Sequence, residues 1–310
     1  MWDAFVATSK NATFLHYRDF MEYHSDRFVD NSLIIKKENK IVALVPANIE
    51  GNNLYSHQGL TYGGMLLSRK QKTKDIFEIF KTILLYLENR EITNFFIKLI
   101  PHFYTKQPSE EIEYLLQLVN ANCYRIDIAS TIDNRKRLPI QSNRIEGVKK
   151  AQKRELEIKE EAVFRGFWEQ ILIPNLSNKH QSKPTHTLEE IELLHKHFPD
   201  NIRQFNVYNG NQIVGGATIF ETTTTAHVQY ISGDNNKQEL GTLDFLFHYL
   251  ITDVFAQKRY FDFGISNENQ GKNLNSGLSY WKECFGARTF VHRHYEVKTK
   301  NHLLLNNVLI

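Results

Sequence analysis

Cysteine is nearly missing from this chain of 310 residues: only Cys123 and Cys284 occur. A disulfide framework is therefore excluded, and a reducing compartment such as the cytoplasm fits. The opening residues, MWDAFVATSKNATF, lack a basic start followed by an apolar run, so no secretory leader is expected there. No stretch approaches the roughly 18 apolar residues of a membrane-spanning helix. Neither sign of charge dominates, since 38 Lys and Arg against 35 Asp and Glu leave +3. That balance lacks the footprint of a nucleic-acid binder and still admits an anionic small ligand. Linkers rich in Gly, Ser or Pro are also missing, which points to closely packed domains. Self-association is left open.

The familiar chemical signatures are missing too. There is no GxxxxGK[ST], no GxGxxG after a strand, no HExxH, no CxxC pair and no GxSxG. His195 and His197 lie two apart on a helix, so their rings diverge, and no metal site is expected. Cys284, between Glu283 and Phe285, has no local basic partner and reads as a structural thiol.

What is present is a core: 41% hydrophobic and 12% aromatic residues, in a chain long enough for two domains of about 150 residues. In the first half, periodicity predicts a helix over 2–20 interrupted at 9–11, then a hairpin turning at Glu38-Asn39. A helix at 75–90, a strand at 94–99, a helix at 109–120 and a strand at 124–132 follow. The second half opens with a basic helix at 143–155, whose Lys149, Lys150, Lys153 and Arg154 form one charged face. Helices at 162–176 and 188–197 follow, the latter with a Thr187/Glu190 capping box. A three-strand meander (202–208, 212–221, 226–232), a helix at 241–258, a strand at 260–265, a helix at 276–285 and a strand at 290–298 complete it. The same order of elements occurs twice. The expected fold is α/β (α+β), each domain a mixed, mainly antiparallel sheet flanked by helices, with domains 1–142 and 143–310.

One stretch stands out, YFDFGISNENQGKNLNSGLSYWKECF at 260–285. A short aromatic strand carries Asp262 toward a loop of hydrogen-bonding side chains, as a polar ligand requires. A plain polar loop over a core strand is the alternative.

The element order of the second half resembles the GNAT acyltransferase fold, in which a strand here at 226–232 splays from its neighbour. That resemblance implies coenzyme A, with pantetheine amides on the unpaired strand and pyrophosphate at the following helix N-terminus. Ile231, Ser232, Gly233, Lys237, Gly241 and Thr242 would hold it. The usual Gln/Arg-x-x-Gly-x-Gly/Ala loop is replaced by SGDNNKQELGT. Across nearly the whole chain, YSHQGLTYGG, NRIEGVKKAQKRE, VGGATIFE, HVQYISGD, YFDFGIS and GLSYWKECFGA resemble the FemAB-like proteins, which carry two GNAT-like domains in tandem. One branch of that group moves amino acids from charged tRNA onto peptidoglycan precursors. Another resembles acyl-CoA-dependent N-acyltransferases acting on nucleotide-linked amino sugars of surface polysaccharides. The long helical-hairpin insertion of the tRNA users is not visible, so the sugar branch is expected. It implies acyl-CoA as co-substrate, a dTDP- or UDP-linked amino sugar as acceptor, and no nucleic-acid partner. An inactive GNAT-like binding protein is the remaining alternative.

For direct transfer an amine must lose a proton before it attacks the thioester. His57 in a glycine-flanked loop, with an ordinary pKa of about 6.5, is preferred as base, and Asp262 would orient the amine or replace it. Tyr230, or Ser232, would protonate the departing thiolate. Tyr62, Gly63, Glu268, Asn269, Gln270 and Lys282 are the expected acceptor-binding residues, against plain structural roles for each.

Overall fold

The computed structural model describes residues 1–310, apart from the side chains of Lys179 and His180. Its two compact units are Met1–Asp127 with Val291–Ile310, and Ile128–Phe290. The division expected at 142/143 is thus corrected, because register fixes membership. Residues 129–133 pair with Tyr260–Ile265 in the second unit, and 294–298 pair with Asn94–Lys98 in the first.

In the first unit the strands run in the order Asn48–Glu50, Asn53–Tyr55, Asn94–Lys98, Arg288–Lys298. Only the middle pair is parallel. A separate sheet orders Leu33–Lys37, Lys40–Val45 and Leu66–Leu67. Its hairpin turns where expected, with Glu38 and Asn39 at φ 50° and 62°, as a two-residue turn needs. The helix Thr73–Glu88 buries Ile76, Phe77, Phe80, Ile83, Leu84 and Leu87, the stripe its spacing predicts. The helix expected over 2–20 is instead Trp2–Thr8, Phe14–His16 and Arg18–Met21. The interruption is caused by Ser9 and Asn11, whose side chains bond Leu67 O and Met65 O, at 2.9 Å each, instead of leaving the helix intact.

The second unit is a six-stranded sheet in the order Asn122–Asp133 (from Ile128), Tyr260–Ile265, Thr225–Gly233, Gln212–Glu221, Ile202–Asn209, Glu157–Glu161. All neighbours are antiparallel except Thr225–Gly233 with Tyr260–Ile265. One face carries Phe261, Phe263, Phe247, Phe285 and Ala151 in a common core, which brings the helices Ser142–Lys153, Thr242–Tyr249 and Ser276–Glu283 onto it. The other face carries Trp168 against Tyr230, within a continuous helical run whose π-turn at Trp168–Leu172 leads into Ile173–His180. Each unit therefore repeats one plan, a parallel strand pair joined through a helix, as the expected fold class requires. No helix among the described residues is long and apolar enough to cross a membrane.

Candidate active site

The parallel pairing of Thr225–Gly233 with Tyr260–Ile265 covers only Thr225↔Tyr260, Ala226↔Phe261 and His227↔Asp262. Beyond that rung the strands part. A register shift against Gln212–Glu221 falls at the same place, since Thr218 pairs with Tyr230 and Ile219 with Val228, leaving Gln229 as the extra residue. A bulge of this kind bends a strand and increases its twist. Residues 228–233 then lead to a cavity of about 860 Å³.

The cavity surrounds the strand's end. Ile231 and Ser232 line it from the strand, Asn175 and Leu176 from one helical layer, and Arg144, Lys150, Asp244 and Trp281 from the other. Asn175 Nδ2 donates to Ser232 Oγ and to Gly233 O, both at 2.6 Å. Asp244 accepts from Arg144 at 2.8 Å, and burial raises its pKa above the ordinary carboxylate value. Two glycines allow close packing beside the cavity. A Cβ on Gly147 would stand 2.0 Å from Asp244 Oδ2, and one on Gly241 would stand 2.0 Å from Gly147 O. Gly241, at φ 73°, turns the chain from the short Lys237–Leu240 helix into Thr242–Tyr249. Thr242 is fully buried, and its Oγ1 has no hydrogen-bond partner among the described residues. Of the six residues expected to hold a cofactor, Ile231, Ser232 and Lys237 line the cavity, whereas Gly233, Gly241 and Thr242 do not line it and stand next to residues that do.

The first unit has the same parallel pair, Asn53–Tyr55 with Asn94–Lys98, but closes it. Ser56 N donates to Phe96 O and Gly63 N to Lys98 O, each at 2.8 Å, while Lys98 N donates to Ser56 Oγ at 2.9 Å. A Cβ on Gly63 would meet Ser56 O at 2.0 Å. Its close approach is therefore to its own loop, not the ligand approach expected from sequence. Tyr62 is buried, with its hydroxyl bonded to Thr13 Oγ1 at 3.2 Å. His57, in the same loop, is buried at φ 66°, and burial pushes its pKa down to about 3. Against the ordinary pKa expected from sequence, it is a poor base at neutral pH in the structure, because its ring is desolvated beside His24.

In the second unit Asp262 is fully buried and has hydrogen-bond partners on both oxygens. Its Oδ1 accepts from Thr131 Oγ1 at 2.8 Å and Gly264 N at 3.0 Å; its Oδ2 faces His227 Nδ1 at 2.8 Å. Lys282 is buried too, and its Nζ donates to Gly264 O at 2.9 Å and Ile265 O at 2.7 Å. Burial pulls its pKa down to about 8 while the Asp262 charge opposes that shift. Lys282, expected among the acceptor-binding residues, thus clamps the diverging strand end. Glu268, Asn269 and Gln270 stand exposed on the small hairpin pairing Asn267–Glu268 with Asn273–Leu274. Glu268 accepts from Asn275, a cavity residue, at 3.0 Å. Tyr230 does not line the cavity. Its hydroxyl accepts from His186 N at 3.1 Å and meets His186 Nδ1 at 2.5 Å, and burial raises its pKa to about 12. Among the described residues no group of three or more His, Cys, Asp or Glu could hold a metal ion.

Asn175, Asp244 and His227 carry no role in the sequence reading, although HVQYISGD contains the last. Their signal is three-dimensional, since each meets its partner across the sheet or between layers.

No protein-family model and no characterised protein sequence matches the chain. Solved structures do match in fold. FemX superposes with a TM-score of 0.67 at 10% identity, covering 98% of this chain and 97% of that one. L-PGS from Bacillus licheniformis gives 0.59 at 11%, covering 93% and 96%. The C-terminal domain of a putative lysylphosphatidylglycerol synthetase from Agrobacterium fabrum gives 0.57 at 9%, covering 89% and 86%. At such identities the likeness is one of fold.

Proposed function

We propose that this chain is an N-acyltransferase using acyl-CoA, with its donor site in the second unit. The acceptor in this reading is the amino group of a dTDP- or UDP-linked amino sugar for a surface polysaccharide, and the reaction takes place in the cytoplasm. The observation that carries it is the parting of Thr225–Gly233 from Tyr260–Ile265 after three paired residues, opening onto the 860 Å³ cavity. Residues 228–233 offer backbone groups to a two-amide arm. Arg144, Lys150 and Lys237 outnumber Glu146 and Asp244 around the cavity, as an anionic donor favours. The first unit, whose equivalent opening its own loop fills, would not take the donor.

In the reaction the amine nitrogen forms a bond to the thioester carbonyl carbon and the C–S bond breaks. The amine gives up one proton and the thiolate takes one. Ser232, whose oxygen accepts from Asn175, stands at the cavity end of the strand, where it would anchor the donor rather than protonate the thiolate. The test is mass spectrometry of products from acetyl-CoA and longer acyl-CoAs incubated with dTDP- and UDP-linked amino sugars. One acyl mass added to a sugar nucleotide is expected.

The FemX likeness over 98% of the chain favours a second reading, transfer of an aminoacyl group from charged tRNA onto a cell-wall precursor. Product formed from aminoacyl-tRNA, with none from any acyl-CoA, would select it over the first.

A further inference from the structure

We propose that His227 and Asp262 form the proton-accepting pair of the transfer reaction, with His227 as the catalytic residue and Asp262 as its positioning partner. The proposal rests on the acyl-transfer reading and names a group that the reading leaves open.

The pair sits on the last rung before the strands part, His227↔Asp262. Phe261 and Phe263 point into the aromatic core, so alternation along the strand sends Asp262 to the opposite face. The nascent ammonium would thus meet the pair from the face away from Phe247 and Trp281. From Ser232, at the cavity, back to His227 the strand covers five residues, about 16 Å at some 3.3 Å per residue. An extended arm anchored in the cavity and laid along residues 228–233 ends beside the imidazole.

The chemistry of the pair follows from its hydrogen bonds. A buried carboxylate needs donors on both oxygens. Thr131 and Gly264 N supply them to Oδ1, and His227 Nδ1 faces Oδ2. The neutral imidazole therefore carries its hydrogen on Nδ1, and Nε2 is the basic nitrogen. As the C–N bond forms and the C–S bond breaks, the amine proton passes to Nε2, and the fixed Asp262 charge stabilises the imidazolium. Asp262 is fully buried, while the His227 side chain keeps 13% of its surface exposed, which a proton acceptor requires. Gly264 makes room for the ring: at φ 73°, its added Cβ would lie 3.2 Å from His227 Cε1. Lys282, held on Gly264 O and Ile265 O, is a charged group that acts on Asp262.

A purely structural histidine would serve only to donate to Asp262. His227→Asn separates the two roles, because its amide can still donate from the Nδ1 position but cannot accept the proton. With acetyl-CoA and the dTDP- or UDP-amino sugar that the parent acylates, His227→Asn should lower kcat about 10²–10⁴-fold with KM nearly unchanged. Coenzyme A should bind it within twofold of the parent in calorimetry. Asp262→Asn should lower kcat at least tenfold. A kcat within threefold of the parent for His227→Asn, with coenzyme A still bound, overturns the pair and leaves the acyl-transfer reading standing. Should His227→Asn fail to bind coenzyme A, Asp262→Asn decides in the same way. A parent that neither binds coenzyme A nor forms product overturns the reading and the pair together.

Discussion

His57 stacks on His24, with ring centroids 4.9 Å apart and planes 24° apart. Burial lowers the pKa of both, that of His57 to about 3. His16 and His294 are each lowered to about 4 by the same cause. Unfolded histidine takes its proton near pH 6.5, whereas these folded rings resist it. Their contribution to stability is therefore complete above about pH 6.5 and lost as pH falls toward 4. The urea midpoint should drop between pH 7.5 and pH 5. In His57→Asn, which does not titrate and tolerates the left-handed φ of 66°, the drop should be smaller. An equal drop in parent and variant would remove His57 from this account.

Asn175 joins the helical layer to the end of the splayed strand through Ser232 Oγ and Gly233 O. Asn175→Ala should cost about 1 kcal/mol of stability. It should also raise KM for acyl-CoA more than it lowers kcat, because the donor's anchorage is loosened while the reacting end is distant. Steady-state kinetics at varied acyl-CoA checks this; a change confined to kcat contradicts it.

Gly241 cannot be replaced without strain. Its φ of 73° costs an L-residue roughly 1–2 kcal/mol, and a Cβ would press on Gly147 O. Gly241→Ala should therefore lose more than about 2 kcal/mol and weaken coenzyme A binding at least tenfold. Thermal melts and calorimetry on the same sample test both halves.

Much of the fold was legible because its signals are local. The strand Gln212–Glu221 has the bounds its sequence suggests. The capping box is formed, with Glu190 N donating to Thr187 Oγ1 at 3.2 Å and Thr187 N to Glu190 Oε2 at 2.8 Å. The strand Glu157–Glu161 was not legible, since EIKEE at a sheet edge shows little apolar alternation. Nor was the π-turn at Trp168–Leu172, which leaves the helical spacing of apolar residues almost unchanged. Ser232 and Lys237, which the GNAT resemblance implied, line the cavity. His227 was not legible: its partner lies 35 residues away, and only the parallel register brings them together. His57 looked like a loop histidine because the stacking His24 that buries it is remote in sequence.

Calorimetry of the intact chain with coenzyme A tests the central claim most directly. The open splay of the second unit predicts one site per chain with micromolar affinity, weakened by Gly241→Ala. No detectable heat at millimolar coenzyme A, from a chain shown to be folded, would contradict it.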